Sequence, residues 1–291
     1  MHCELVQTQT LDLARLHGAF FRPQVDKCVS LDAAILLHGL AGNFYSSRLL
    51  QSLARQLLEL GIHVLQANTR GHDGLNWTSI GGRTEAQGAA FELVDHCRHD
   101  ITGWADFLVQ RGCKRIGLVG HSLGAIKAIY SQAHQPHAAI TCIAALSASR
   151  LNFDRFMQSP ARHKFKTWIE SAEQLAKSGH GRQLMLVDFP FPAFIAAEAY
   201  LDKYGPASRY DWTRFIQQVT VPVLLTFGER ELATNAAFNG ILPEVERLQM
   251  SCRKLETRVI PDADHFYIGR RQVVSKTVRN WLVDLFPHVV P

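Results

Sequence analysis

Short apolar runs recur along the chain, and amphipathic segments stand between several of them. That alternation predicts βαβ units and a mostly parallel sheet flanked by helices, an α/β architecture. The predicted strands are Ala33 to Leu37, Ile62 to Ala67, Arg115 to Val119, Ile140 to Leu146, Val221 to Phe227 and Thr257 to Ile260, with weaker ones between Glu4 and Phe21. Their near-continuous apolarity means that both sheet faces are covered. Leu49, Leu50, Leu53, Leu57 and Leu58 fall at helical spacing after Ser46-Ser47, whose hydroxyls can cap a helix, and Gly61 closes that segment. Further helices are predicted from Asp100 to Gln110, from about Ser122, and from Val273 to Leu285.

More than seventy residues separate the strand ending near Leu146 from the one beginning at Val221, too many for a simple crossover. Phe165, Trp168, Ile169, Ala172 and Leu175 mark one amphipathic helix. Phe189-Pro190-Phe191-Pro192 forces a non-helical joint before another from Ala193 to Tyr204. This reading makes residues 152–218 an inserted helical cap on a core formed by 1–151 and 219–291; the alternative is a side bundle packed away from any pocket. Trp77 to Gly88, with Gly81-Gly82, reads as an extended loop.

Composition narrows the function classes. A chain of 291 residues, 47% apolar and 20% charged, is an ordinary globular sequence. At this size it buries roughly 75% of its extended surface and needs no disulfide or metal staple. The formal charge of +5 is spread over single cations and short pairs such as Lys114-Arg115, without the basic stripe of a nucleic-acid surface. No apolar run approaches the roughly 20 residues that span a bilayer, so no membrane insertion is expected. Met1 to Leu11 lacks the order of a secretory signal, and six scattered cysteines without a CxxC pair read as reduced thiols. A cytoplasmic location is the expectation. His96-Cys97-Arg98-His99-Asp100 fits no zinc spacing and reads as a capped helix start, so no metal is expected. The absence of a Gly-x-x-x-x-Gly-Lys loop, and of Gly-x-Gly-x-x-Gly after a strand, argues against a nucleotide cofactor; none is expected.

The chemistry concentrates at Gly120-His121-Ser122-Leu123-Gly124, where an apolar strand meets a helix. A turn this tight strains the serine backbone and demands small residues beside it, as Gly120, Gly124 and Ala125 provide. Serine needs a base and an acid that orients the base. His265 follows the last strand in Asp262-Ala263-Asp264-His265, and the strand ending at Phe227 leads into Gly228-Glu229-Arg230-Glu231. The order is then serine, acid, histidine, with Ser122 as nucleophile and His265 as base. The N–H of Leu123, next after the nucleophile, is one expected donor to an oxyanion.

The chain resembles the α/β-hydrolase superfamily, in its serine-hydrolase, esterase-like branch, from about Leu31 to Leu285. Five landmarks carry the likeness: His38-Gly39 after the first strong strand, Arg70-Gly71-His72 after the next, the Gly-x-Ser-x-Gly turn, the acid turn and Asp264-His265. The resemblance implies a catalytic triad whose acid closes a Gly-x-x-Asp pattern, the place held here by Glu231, with Glu229 and Asp262 as alternatives. It also implies that Leu40 supplies the second oxyanion donor, and that Asn43 either donates too or caps the following turn. Arg70, His72 and Asp73, beyond another strand end, either face the pocket or hold their own loop. His38, Gly39, His121 and Trp168 complete the candidate pocket. Serine at the turn disfavours the aspartate-nucleophile branches, the haloalkane dehalogenases and epoxide hydrolases. A weaker likeness points to a branch that includes fungal siderophore esterases.

The expected function is a serine hydrolase that cleaves carboxylic esters of small to medium, partly apolar substrates through an acyl-enzyme. Its expected partner is a small-molecule ester or related acyl compound. An acyltransferase, lactonase or thioesterase would use the same residues, and a low-turnover binding protein would keep the pocket.

Overall fold

The computed structural model describes residues 2–252 and 254–287. Strands β1 (Cys3–Gln9) and β2 (Arg15–Phe21) form an antiparallel pair at one sheet edge, and β3 (Ala33–Leu37) lies further in. Helix α1 (Arg48–Leu58) begins where Ser47 accepts the Leu50 N–H at 3.2 Å, and its Leu49, Leu50, Leu53 and Leu57 are buried. After β4 (His63–Ala67), strands β5 (Asn76–Ile80) and β6 (Arg83–Gln87) pair antiparallel. The sequence predicts an extended loop here. It is a hairpin because Gly81 and Gly82, at φ 58° and 80°, form the two-residue turn that matches strand twist.

Helix α2 (Cys97–Gln110) starts three residues before the apolar pattern indicates, after a short 3₁₀ turn over Val94–His96. Then come β7 (Ile116–His121), α3 (Leu123–His134) and β8 (Ile140–Leu146). The segment 152–218 holds α4 (Phe153–Met157), α5 (Arg162–Lys177), strands β9 (Leu184–Val187) and β10 (Ala193–Ala196), and α6 (Ala197–Tyr204). It is therefore not purely helical. Met185, Val187 and Ile195 are buried while Leu184, Leu186 and Phe194 are exposed, a period of two that makes a β-hairpin where the sequence reading began a helix. Strand β11 (Val223–Gly228), α7 (Glu229–Thr234), α8 (Ile241–Ser251), β12 (Leu255–Ile260) and α9 (Arg271–Leu285) complete the chain.

The eight-stranded sheet has the order β1-β2-β4-β3-β7-β8-β11-β12 and is parallel from β4 onward. Alternation sorts β3 between two cores: Ala33, Ile35 and Leu37 join the core beside α2 and α3, and Ala34 and Leu36 join the one beside α1 and α9. The chain leaves β3 toward β4 on one side and leaves β7 toward β8 on the other, so the strand order reverses between β3 and β7. Ligands of open α/β sheets bind at the carboxyl ends flanking such a reversal. Among the described residues, no helix is long and apolar enough to cross a membrane.

Candidate active site

Ser122 stands at that reversal, between β7 and α3, at φ 56° and ψ −120°. Crowding imposes the strain. A Cβ on Gly120 would lie 2.2 Å from the Gly124 carbonyl oxygen, and one on Gly124 would lie 2.5 Å from that of His38. The loop after β3 passes so close that a Cβ on Gly39 would sit 3.2 Å from the Ser122 Cβ. A non-glycine residue in this conformation stores about 1–3 kcal/mol, held in place by its surroundings.

Three side chains from different strand ends meet in a hydrogen-bonded line. The Ser122 Oγ is 3.0 Å from the His265 Nε2, and the His265 Nδ1 is 2.8 Å from the Glu231 Oε2. Glu231, the third residue of α7, accepts the Gly228 N–H at 2.7 Å and the Ser147 hydroxyl at 2.6 Å, both on Oε1. That oxygen is a pure acceptor, so the Tyr267 hydroxyl donates to the Ser147 Oγ at 2.9 Å and accepts from the Thr226 hydroxyl at 2.8 Å. The carboxylate, buried to 2% exposure, thus lies in a satisfied polar network and its free lone pairs face His265. Glu229 instead accepts the Asp262 N–H at 2.9 Å, and Asp262 pairs with Arg270 at 3.1 Å. Ser147, Tyr267 and Thr226 escaped the sequence reading, because no spacing marks a hydroxyl as the partner of a distant carboxylate.

Two more histidines support this line. The Thr69 N–H donates to the His38 Nε2 at 3.2 Å, so His38 carries its proton on Nδ1, which donates to the Gly39 carbonyl at 2.8 Å. Burial and then the nearby Lys127 push the His38 pKa down to about 3, which keeps the ring neutral. A trans peptide points its N–H opposite its C=O. Holding the Gly39 carbonyl therefore turns the Leu40 N–H the other way. His121 donates from Nε2 to the His265 carbonyl at 2.7 Å, and burial followed by the His265 charge lowers its pKa to about 4. Leu123 begins α3, so its N–H has no intrahelical partner. Among the described residues, neither the Leu40 nor the Leu123 N–H is engaged in a hydrogen bond.

A cavity of about 760 Å³ opens above Ser122 and His265. His38, Gly39, Leu40, His121 and Leu123 line it from the sheet side, and Phe156, Pro190, Phe191 and Tyr204 from the 152–218 segment. Four expected pocket residues lie elsewhere. Asn43 bonds Asp73 at 2.7 Å and accepts the Ser46 N–H at 2.8 Å, which is a turn cap. His72 bonds the adjacent Asp73 at 2.8 Å, and Trp168, partly buried on α5, donates to Asp188 at 2.7 Å. Arg70, buried at 2% exposure, is clamped by Asp100 at 2.7 Å and Asp12 at 2.6 Å. Its role is structural, since removing Asp100 leaves this buried cation with the partly exposed Asp12 as its one carboxylate partner among the described residues. Changing Asp100 to Asn is expected to lower unfolding free energy by about 3 kcal/mol. Urea denaturation checks this, and a loss under about 1 kcal/mol would mean that the Asp12 pair alone compensates the Arg70 charge.

A mostly parallel eight-stranded sheet with a serine on this strained turn has the layout of an α/β hydrolase. The chain belongs to the alpha/beta hydrolase family, whose model matches residues 34–277. No curated protein matches the chain by sequence. Among solved structures, it is similar to Est1E from Butyrivibrio proteoclasticus with ferulic acid bound, at 17% identity and TM-score 0.64, covering 96% of this chain and 98% of that one. It is similar to the Pyrococcus furiosus esterase Pf2001 at 18% identity and TM-score 0.65, covering 99% and 92%. XC6422 from Xanthomonas campestris, a serine hydrolase without lid, matches at 16% identity and TM-score 0.60, covering 100% and 98%. At these identities the likeness concerns the fold.

Proposed function

We propose that this chain is a serine hydrolase that cleaves carboxylic esters through an acyl-enzyme at Ser122. The observation that carries the reading is the unbroken line from the Ser122 Oγ through His265 to Glu231, at 3.0 and 2.8 Å. The Ser122 Oγ attacks the ester carbonyl carbon as the His265 Nε2 takes its proton. The negative oxygen of the tetrahedral intermediate lies against the Leu40 and Leu123 N–H groups. His265 passes the proton to the departing alcohol, and the acyl group stays on Ser122. Water then attacks the acyl carbon, giving its proton to His265, and the carboxylic acid leaves as the proton returns to Ser122. Glu231 holds the His265 proton on Nδ1 and stabilises the charged ring. These residues supply every proton transfer, so the chemistry needs no cofactor.

In this reading the 152–218 segment is a cap on the 1–151 and 219–291 core, and its Phe156, Phe191 and Tyr204 give the cavity an apolar wall. That wall and the volume of about 760 Å³ suit esters of small to medium size. The fold shared with Est1E, whose structure holds ferulic acid, and with the Pyrococcus furiosus esterase supports esters as the substrate class. A cytoplasmic setting belongs to the same reading, supported by six unpaired cysteine thiols.

A fluorophosphonate, which reacts with base-activated serines, tests the proposal directly. Peptide mass analysis is expected to find one adduct, on Ser122, and none on the Ser122→Ala protein. A folded chain that takes up no reagent overturns the assignment.

A further inference from the structure

Arg48 and Arg271 line the same cavity as Ser122 and His265, and each is the first residue of its helix. Helices α1 and α9 pack on one face of the sheet, and their seam is pinned by a Ser275 to Ser52 hydroxyl bond of 2.9 Å. Each serine lies four residues after its arginine, one helical turn along the same side. The seam therefore makes the two arginines neighbours at its cavity end. Among the described residues, neither guanidinium forms an ion pair or a side-chain hydrogen bond, whereas the adjacent Arg270 is paired with Asp262 at 3.1 Å. No aspartate or glutamate lines the cavity among the described residues. The third cation on the wall, Lys203, is already engaged: it donates to the Glu92 carbonyl and lies 4.0 Å from the Glu92 carboxylate.

Two guanidinium groups on the wall of one cavity, with no carboxylate lining it among the described residues, favour an anion there, and their planar donor forks match carboxylate and phosphate oxygens. We infer that Arg48 and Arg271 form an oxyanion subsite of the catalytic cavity, so that the preferred substrate is an ester bearing a carboxylate or phosphate group. The word ester rests on the hydrolase reading; the anion preference does not, because binding needs no turnover. The apolar wall from the 152–218 segment takes the rest of such a substrate, giving a ligand with one charged and one apolar end.

The test uses the Ser122→Ala protein, which binds without hydrolysis, and three 4-nitrophenyl esters of matched chain length. One ends in a carboxylate, one in the corresponding methyl ester and one in a phosphate. Titration calorimetry is expected to show an anionic probe binding about tenfold more tightly than the neutral one, the scale of a charge-assisted hydrogen bond. The preference should shrink as salt rises, because both arginines are accessible to solvent. It should vanish in a folded Arg48→Gln, Arg271→Gln double variant of the same protein. A preference for only one of the two anions supports the subsite and identifies its group. Equal binding of charged and neutral probes, binding of none, or a preference that survives the double substitution overturns the inference. Hydrolysis of the neutral ester by the unaltered protein is read separately. Turnover without an anion preference sinks the subsite alone, and an anion preference without turnover of any probe sinks the hydrolase reading alone.

Discussion

Replacing Ser122 with alanine is expected to lower kcat for a 4-nitrophenyl ester by roughly 10⁶-fold, the scale seen when a triad serine is removed. The substitution deletes the one atom that bonds the acyl group and keeps the Cβ, so the strained backbone at φ 56° meets the same neighbours. The melting temperature should change little, because the Oγ has a single described partner, His265. The residual rate comes from the Leu40 and Leu123 donors, which still polarise a bound carbonyl. Steady-state hydrolysis with a thermal melt on the same sample checks both halves. A variant that keeps more than about a tenth of the activity removes Ser122 from the mechanism, since so small a loss is the scale of one lost hydrogen bond and not of a lost nucleophile.

Changing Glu231 to Gln is expected to cost about 10⁴ in kcat, and the reason is the direction of one proton. Two hydrogens, from Gly228 and Ser147, already point at Oε1, so the glutamine oxygen must take that side. Its NH₂ then faces the His265 Nδ1, which can meet it only as an acceptor. The ring is driven to carry its proton on Nε2, where it can no longer receive the one from Ser122. The same change at Glu229 should alter kcat by no more than about twofold, as for other exposed sites away from special features. The measurement is kcat for both variants, with stability followed by denaturation. A large loss at Glu229 and a small one at Glu231 would move the acid to the neighbouring carboxylate.

For Asn43, Arg70 and His72 the structure takes the second of the two roles the sequence leaves open, for Trp168 it departs from the pocket role, and the cause is shared. Asn43, Arg70, His72 and Trp168 follow strand ends or lie in the inserted segment, where polar and aromatic residues suit a pocket. Each instead satisfies a nearby carboxylate: Asp73 for Asn43 and His72, Asp100 and Asp12 for Arg70, and Asp188 for Trp168. A side chain able to bind a ligand is equally able to bind its own protein, and only the placement of the second group decides. The β5 and β6 hairpin was readable from Gly81-Gly82 between extended residues, a signal of local turn chemistry.

What depended on short-range pattern is legible in the sequence. The buried strands β3, β7, β8 and β11 follow from apolar runs, α1 from its leucine spacing and serine cap, and the turn at Ser122 from small residues packed around it. Those signals work because helix period, strand period and backbone crowding act over a few residues. Other features had to wait for the folded chain. Glu229, Glu231 and Asp262 are chemically alike, yet the phase of α7 sends Glu231 and not Glu229 to His265, and Asp262 turns to Arg270. The Ser147 and Tyr267 support of that carboxylate, and the seam that brings Arg48 and Arg271 to one cavity, join residues far apart in the chain; Ser52 and Ser275 alone are separated by 223 positions. No local propensity encodes such meetings, because they are set by how sheet and helices pack as a whole.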